Sequence, residues 1–70
     1  MLSSPRLGQR VQVWYRSELR DAMPLHGLQG IVEVVGRGRP RNHGVRIGRE
    51  LYTVPAGNLR LPPETAENRA

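Results

Sequence analysis

A chain of 70 residues carrying a formal net charge of +5 can bury only a thin core, a size at which a partner or ligand often completes the fold. It has no cysteine, which excludes disulfides, thiolate metal sites and thiol nucleophiles. No apolar run is long enough to span a membrane, and the polar opening MLSSPRLG is too short for a signal peptide, so a soluble intracellular protein is expected.

Residues 1–7 read as a flexible arm. Residues 10–14 alternate polar and apolar, which predicts a half-buried strand. Residues 16–25 carry Ser17, Glu18, Arg20 and Asp21, and Pro24 stops any helix, so a long polar loop with at most one helical turn is expected. Residues 31–35 form the most β-prone run, IVEVV, with Val32 and Val34 on one face and Glu33 on the other. Residues 36–44 are rich in turn residues. Val45 and Ile47 alternate around Arg46 in the next strand, and Gly48-Arg49 fits a two-residue hairpin turn. Residues 51–54 give a fourth strand, residues 55–58 a single 3₁₀ turn, and residues 59–61 a short closing strand. Pro62-Pro63 opens a disordered C-terminal tail over 62–70.

The pattern predicts an all-β fold, a small five-stranded SH3-like barrel over residues 8–61 with a 3₁₀ turn before the last strand. Its expected core is Val11, Val13, Leu28, Val32, Val34, Val45, Ile47, Val54, Leu59 and Leu61. Gly27 and Gly30 fit tight bends or close backbone approaches.

Catalytic chemistry has little to stand on. His26 and His43 are the only histidines, fewer than the three or four ligands a metal site needs. Ser3, Ser4 and Ser17 lie in polar segments without a base. The stretch GRGRP lacks the strand-to-helix setting of a phosphate loop. A binding module is therefore expected, with no catalytic residue and no cofactor in this chain. All 11 basic side chains are arginine. Arginine stays charged and pairs bidentately with carboxylate or phosphate, so an acidic partner is favoured.

The RGRP of residues 37–40 matches the core of the AT-hook, a minor-groove DNA peptide. Here it stands between two strong strands in a single copy, which favours a loop tip. No acidic residue occurs from Gly36 through Arg49, so the loop remains a basic contact surface.

Two resemblances bear on function. Gly8, Arg10, Val11 and Val13, followed by Gly27, Gly30 and Val32, loosely resemble the KOW motif of ribosomal and transcription-elongation proteins. Adding Leu25 and Leu28, and then Gly38-Arg39-Pro40, the chain over roughly residues 7–61 resembles the variable subunit of ferredoxin–thioredoxin reductase. That family combines a G-D-R-V-R-V-like strand, an L-x-G-[LM]-x-G-x-V motif and a loop ending in G-R-P, and it too forms an SH3-like barrel.

The second resemblance implies a non-catalytic subunit that stabilises a catalytic partner as a heterodimer. That partner would hold a [4Fe-4S] cluster and a redox-active disulfide, taking electrons from ferredoxin and reducing thioredoxin. A cyanobacterial cytoplasm is then expected, or else a plastid stroma. Trp14, Tyr15 and Tyr52 are the only aromatics and are candidate interface anchors. Leu25, His26 and Leu28 lie in the family-like motif and are expected to face the partner, while Arg37, Arg39, Arg41 and His43 are expected to steer it. The alternative is a KOW-like nucleic-acid-binding module using the arginine-rich loop, with salt-sensitive binding. A barrel enzyme resembling plasmid-borne dihydrofolate reductase ranks third, because ELYTVP does not match that family's V-Q-I-Y pore segment.

Overall fold

The computed structural model describes residues 5–63. The expected tail over 62–70 falls mostly outside them, as do the first four residues of the expected arm; in its described part, Pro5 is buried. Five strands alternate as the sequence indicates: β1 Arg10–Val13, β2 Gln29–Val34, β3 Asn42–Ile47, β4 Glu50–Pro55 and β5 Leu59–Arg60. A 3₁₀ helix, Ser17–Ala22, lies in the first loop, and a 3₁₀ turn, Ala56–Asn58, precedes β5.

All five strands form one antiparallel sheet in the order β4-β3-β2-β1-β5. This is the small SH3-like barrel. The sheet curls, because Val54 of one edge strand and Leu59 of the other enter the same buried cluster with Val11, Val13, Val32 and Val45. Burying each such side chain contributes about 1.5–3 kcal/mol. Ile47, Leu25, Tyr15 and Tyr52 pack around that cluster, partly exposed.

Gly30 lets β2 and β3 approach: a Cβ there would collide with the Arg46 carbonyl oxygen and the Ile47 and Val45 side chains. Strands β3 and β4 meet at a two-residue turn, with Ile47 opposite Glu50.

Three expected core residues lie outside the core: Leu28 is 44%, Val34 52% and Leu61 59% exposed. Val34 is displaced by a β-bulge. Val32 pairs with Val45 but Val34 pairs with Gly44, so β2 spends two steps where β3 spends one. One extra residue reverses the alternation beyond it. Val34 then lies over Gly44, where a Cβ would come within 3.0 Å of it. Leu28 ends the turn before β2, and Leu61 follows a closing strand of only two residues. Glu33, within the bulge, meets Arg46, which donates from Nε and Nη2 to the two carboxylate oxygens at 3.1 and 2.9 Å. That bond and charge hold the Glu33 carboxyl below its ordinary range and raise Arg46.

Candidate functional site

Two loops carry nearly all the sequence-predicted site residues, and each is closed at its base by a histidine. The first joins β1 to β2. Its arms are tied by Val13 N–H to the Leu28 carbonyl at 2.9 Å, and by Gly27 N–H to the Val13 carbonyl at 2.7 Å. One step further out, Tyr15 N–H donates to His26 Nδ1 at 3.0 Å. His26 is thus an acceptor at Nδ1, which requires the neutral ring. Burial, and then the charges of Arg20 and Arg60, lower its pKa, the direction that favours this acceptor role.

The His26 ring packs on Trp14, with centroids 4.4 Å apart and planes tilted by 47°, and lies 6.4 Å from the Tyr15 ring. Two guanidiniums complete the cluster. Arg60 Cζ lies 3.3 Å from the Trp14 ring centroid and Arg20 Cζ 4.7 Å, cation–π contacts worth about 0.5–1 kcal/mol each at exposed sites.

Both arginines are fixed by hydrogen bonds. Arg60 Nε donates to Gln12 Oε1 at 2.7 Å, and Gln12 Nε2 donates onward to the Gly27 carbonyl at 3.0 Å. Arg20 Nε donates to the Tyr15 carbonyl at 2.9 Å. Asn58 accepts Trp14 N–H at its own carbonyl, 2.8 Å, and its Nδ2 donates to the Trp14 carbonyl at 3.3 Å. The 3₁₀ turn that leads into β5 thereby locks Trp14, the residue after β1.

Two clefts flank this segment. One, of about 600 Å³, is lined by Trp14, Arg16, Leu19 and the stretch from Gly57 to Arg60. The other, of about 300 Å³, is lined by Tyr15, Met23, Pro24, Leu25 and Tyr52. Among the described residues no carboxylate lines either cleft. Only Nε of Arg20 and of Arg60 is engaged in hydrogen bonding among the described residues, so the terminal amino groups can bind an anion.

The second loop, between β2 and β3, holds the RGRP stretch. It is a closed inter-strand loop. Gly36 N–H donates to His43 Nδ1 at 3.0 Å, and Ala56 N–H donates to the Arg41 carbonyl at 2.9 Å. Gly36 is required by close approach, because a Cβ there would strike the Asn42 backbone. Arg37, Arg39 and Arg41 are exposed. His43 corrects the sequence reading: expected in a loop as a steering residue, it is 1% exposed, on the inner face of β3 opposite Val54. Its Nε2 is buried with no hydrogen-bond partner among the described residues, and burial, then Arg41, lower its pKa.

Of the sequence-predicted residues, Trp14, Tyr15, Leu25, His26 and Tyr52 come together around the two clefts. Leu28 is exposed but lines neither. Arg37, Arg39 and Arg41 lie on the separate loop. The sequence reading missed Arg16, Arg20, Arg60 and Asn58 as site residues. The topology held the signal, since an SH3-like order sets the last strand against the first.

Among the described residues no group of three or more His, Asp or Glu side chains could hold a metal ion, and no helix is long and apolar enough to cross a membrane. No protein-family model, curated protein or solved structure matches the chain.

Proposed function

We propose that the chain is a non-catalytic binding subunit that docks an acidic protein partner through the Trp14 face. One observation carries this reading: Arg60 and Arg20 are fixed on the Trp14 ring, beside clefts lined by no acid among the described residues. Prefixed guanidiniums lose less freedom on pairing with carboxylates than mobile ones do. Charge complementarity of this kind speeds encounter and sets orientation.

The residue-level resemblance gives the partner a name. In this proposal the chain is the variable subunit of a ferredoxin–thioredoxin reductase. It stabilises a catalytic subunit that carries a [4Fe-4S] cluster and serves ferredoxin and thioredoxin, in a cyanobacterial cytoplasm. The cysteine-free chain supplies no ligand to that cluster; its contribution is surface.

Mixing the chain with such a catalytic subunit and separating by size at low salt tests this. A 1:1 complex with iron–sulfur absorbance, weakened by Leu25→Ala, is expected. Separate elution of the two chains would refute the reductase assignment.

The exposure of Arg37, Arg39 and Arg41 supports a second reading, a nucleic-acid-binding barrel. It requires affinity that falls steeply with salt. Base stacking on Trp14 counts against it, because a base must first displace Arg60 from the ring.

A further inference from the structure

The two clefts differ in chemistry but draw their linings from consecutive residues of one segment. Trp14 and Arg16 line the basic cleft, and Tyr15, between them in the chain, lines the apolar one. The His26 ring bridges them, 4.4 Å from Trp14 and 6.4 Å from Tyr15. Together these two distances bound the separation of the Trp14 and Tyr15 rings, which about three residues of extended chain, at ~3.3 Å each, can span.

We propose that the paired clefts form one peptide-recognition site for an extended acidic–apolar segment, with a carboxylate in the Arg16–Arg60 cleft and a bulky apolar side chain, about three residues away, in the Tyr15–Leu25–Tyr52 cleft. This deepens the partner-binding role proposed above and rests on it.

The occupant follows from the lining. The basic cleft offers the terminal amino groups of Arg60, already aimed by Gln12 and Trp14, together with the exposed guanidinium of Arg16. A carboxylate can take such donors bidentately. Among the described residues the apolar cleft has no charged lining residue, so it rewards a buried hydrocarbon and offers no counter-charge to a phosphodiester. His26 between them is held neutral by its Nδ1 bond to the Tyr15 amide, so it does not repel the apolar end or add charge to it. The alternation of acid and apolar groups distinguishes this segment from a uniformly charged chain.

Trp14 is the only tryptophan, so its emission reports on the site directly. The test uses the full chain and fluorescein-labelled synthetic peptides about ten residues long, read by anisotropy and by Trp14 emission. The parent probe carries two glutamates about three residues from a Leu-Phe pair. It is expected to bind and shift Trp14 emission. Replacing the glutamates by glutamine should weaken binding at least about tenfold, and replacing Leu-Phe by Ser-Gly at least about fivefold.

Arg16→Glu should weaken the parent probe at least about tenfold. Arg16 is exposed and its side chain makes no hydrogen bond among the described residues, so the fold should survive, as circular dichroism checks. Arg39→Glu, on the other loop, should change it less than about twofold. Equal binding by the Ser-Gly probe, or binding lost with Arg39→Glu and shared by an A·T duplex, would overturn the inference. No binding of the parent probe would overturn it too.

The outcome is separable from the reductase assignment. A complex with the catalytic subunit that is insensitive to Arg16→Glu keeps that assignment and removes this site. Peptide binding without that complex keeps the site and removes the assignment.

Discussion

The two inter-strand loops use the same device and reach opposite ends. In each, a histidine Nδ1 accepts a backbone N–H from across the loop, Tyr15 to His26 and Gly36 to His43, both at 3.0 Å. Both rings are thereby neutral acceptors. His26 sits among Trp14, Tyr15 and two arginines at the wall of the clefts, where a ligand can reach the cluster. His43 faces the valine core, its Nε2 without a partner among the described residues. A closed loop base is therefore compatible with either role. What decides is the strand face on which the histidine falls: His43 shares the inner face with Val45, while His26 precedes β2 and stays in the turn.

The largest break comes from the second loop. Gly36→Ala drives a Cβ into the Asn42 backbone and should cost at least about 2 kcal/mol, read as a lowered urea midpoint. His43→Ala should follow closely. It leaves a cavity beside Val54 and strips the Gly36 amide of its acceptor, a loss of about 2–3 kcal/mol. His26→Ala should cost less, since water can replace the acceptor in the half-buried loop. It should instead change Trp14 emission and weaken partner binding, the reverse of the His43→Ala profile.

Acidification sharpens the comparison. Both histidines have folded pKa values lowered below the ordinary imidazole value near 6.5. As pH falls through that value the unfolded chain takes up protons that the folded chain does not. Stability is thus fully present above it and lost below it. Melting temperature should drop between pH 7.5 and 5.5, and His43→Ala should flatten the slope. The smallest effects belong to the outer face. Val34→Ala and Leu61→Ala should change stability within about 0.5 kcal/mol, against about 2–5 kcal/mol for Leu59→Ala. Glu33→Gln should lower the melting temperature slightly at low salt and not at high salt.

The strands were legible because period-two alternation survives in short runs: Val11 and Val13, Val45 and Ile47. Val34 misled because a bulge is one extra residue with no compositional mark of its own. His43 stood on the inner-face alternation with Val45 and Ile47, but a polar residue flanked by Asn42 and Gly44 reads as loop. The Trp14, Tyr15, Leu25, His26 and Tyr52 half of the candidate site was visible as aromatics and a motif. The arginine half was not, because Gln12 and Arg60, 48 residues apart, meet only once β5 pairs with β1.

The most direct test of the account is an amide and indole NMR titration of the labelled chain with the acidic–apolar peptide. The account predicts shifts at the Trp14 indole and at the amides of Arg16, Leu25 and Gly57, with Gly38 and Arg39 unmoved. Shifts confined to the Gly38–Arg41 loop, with Trp14 silent, would contradict it.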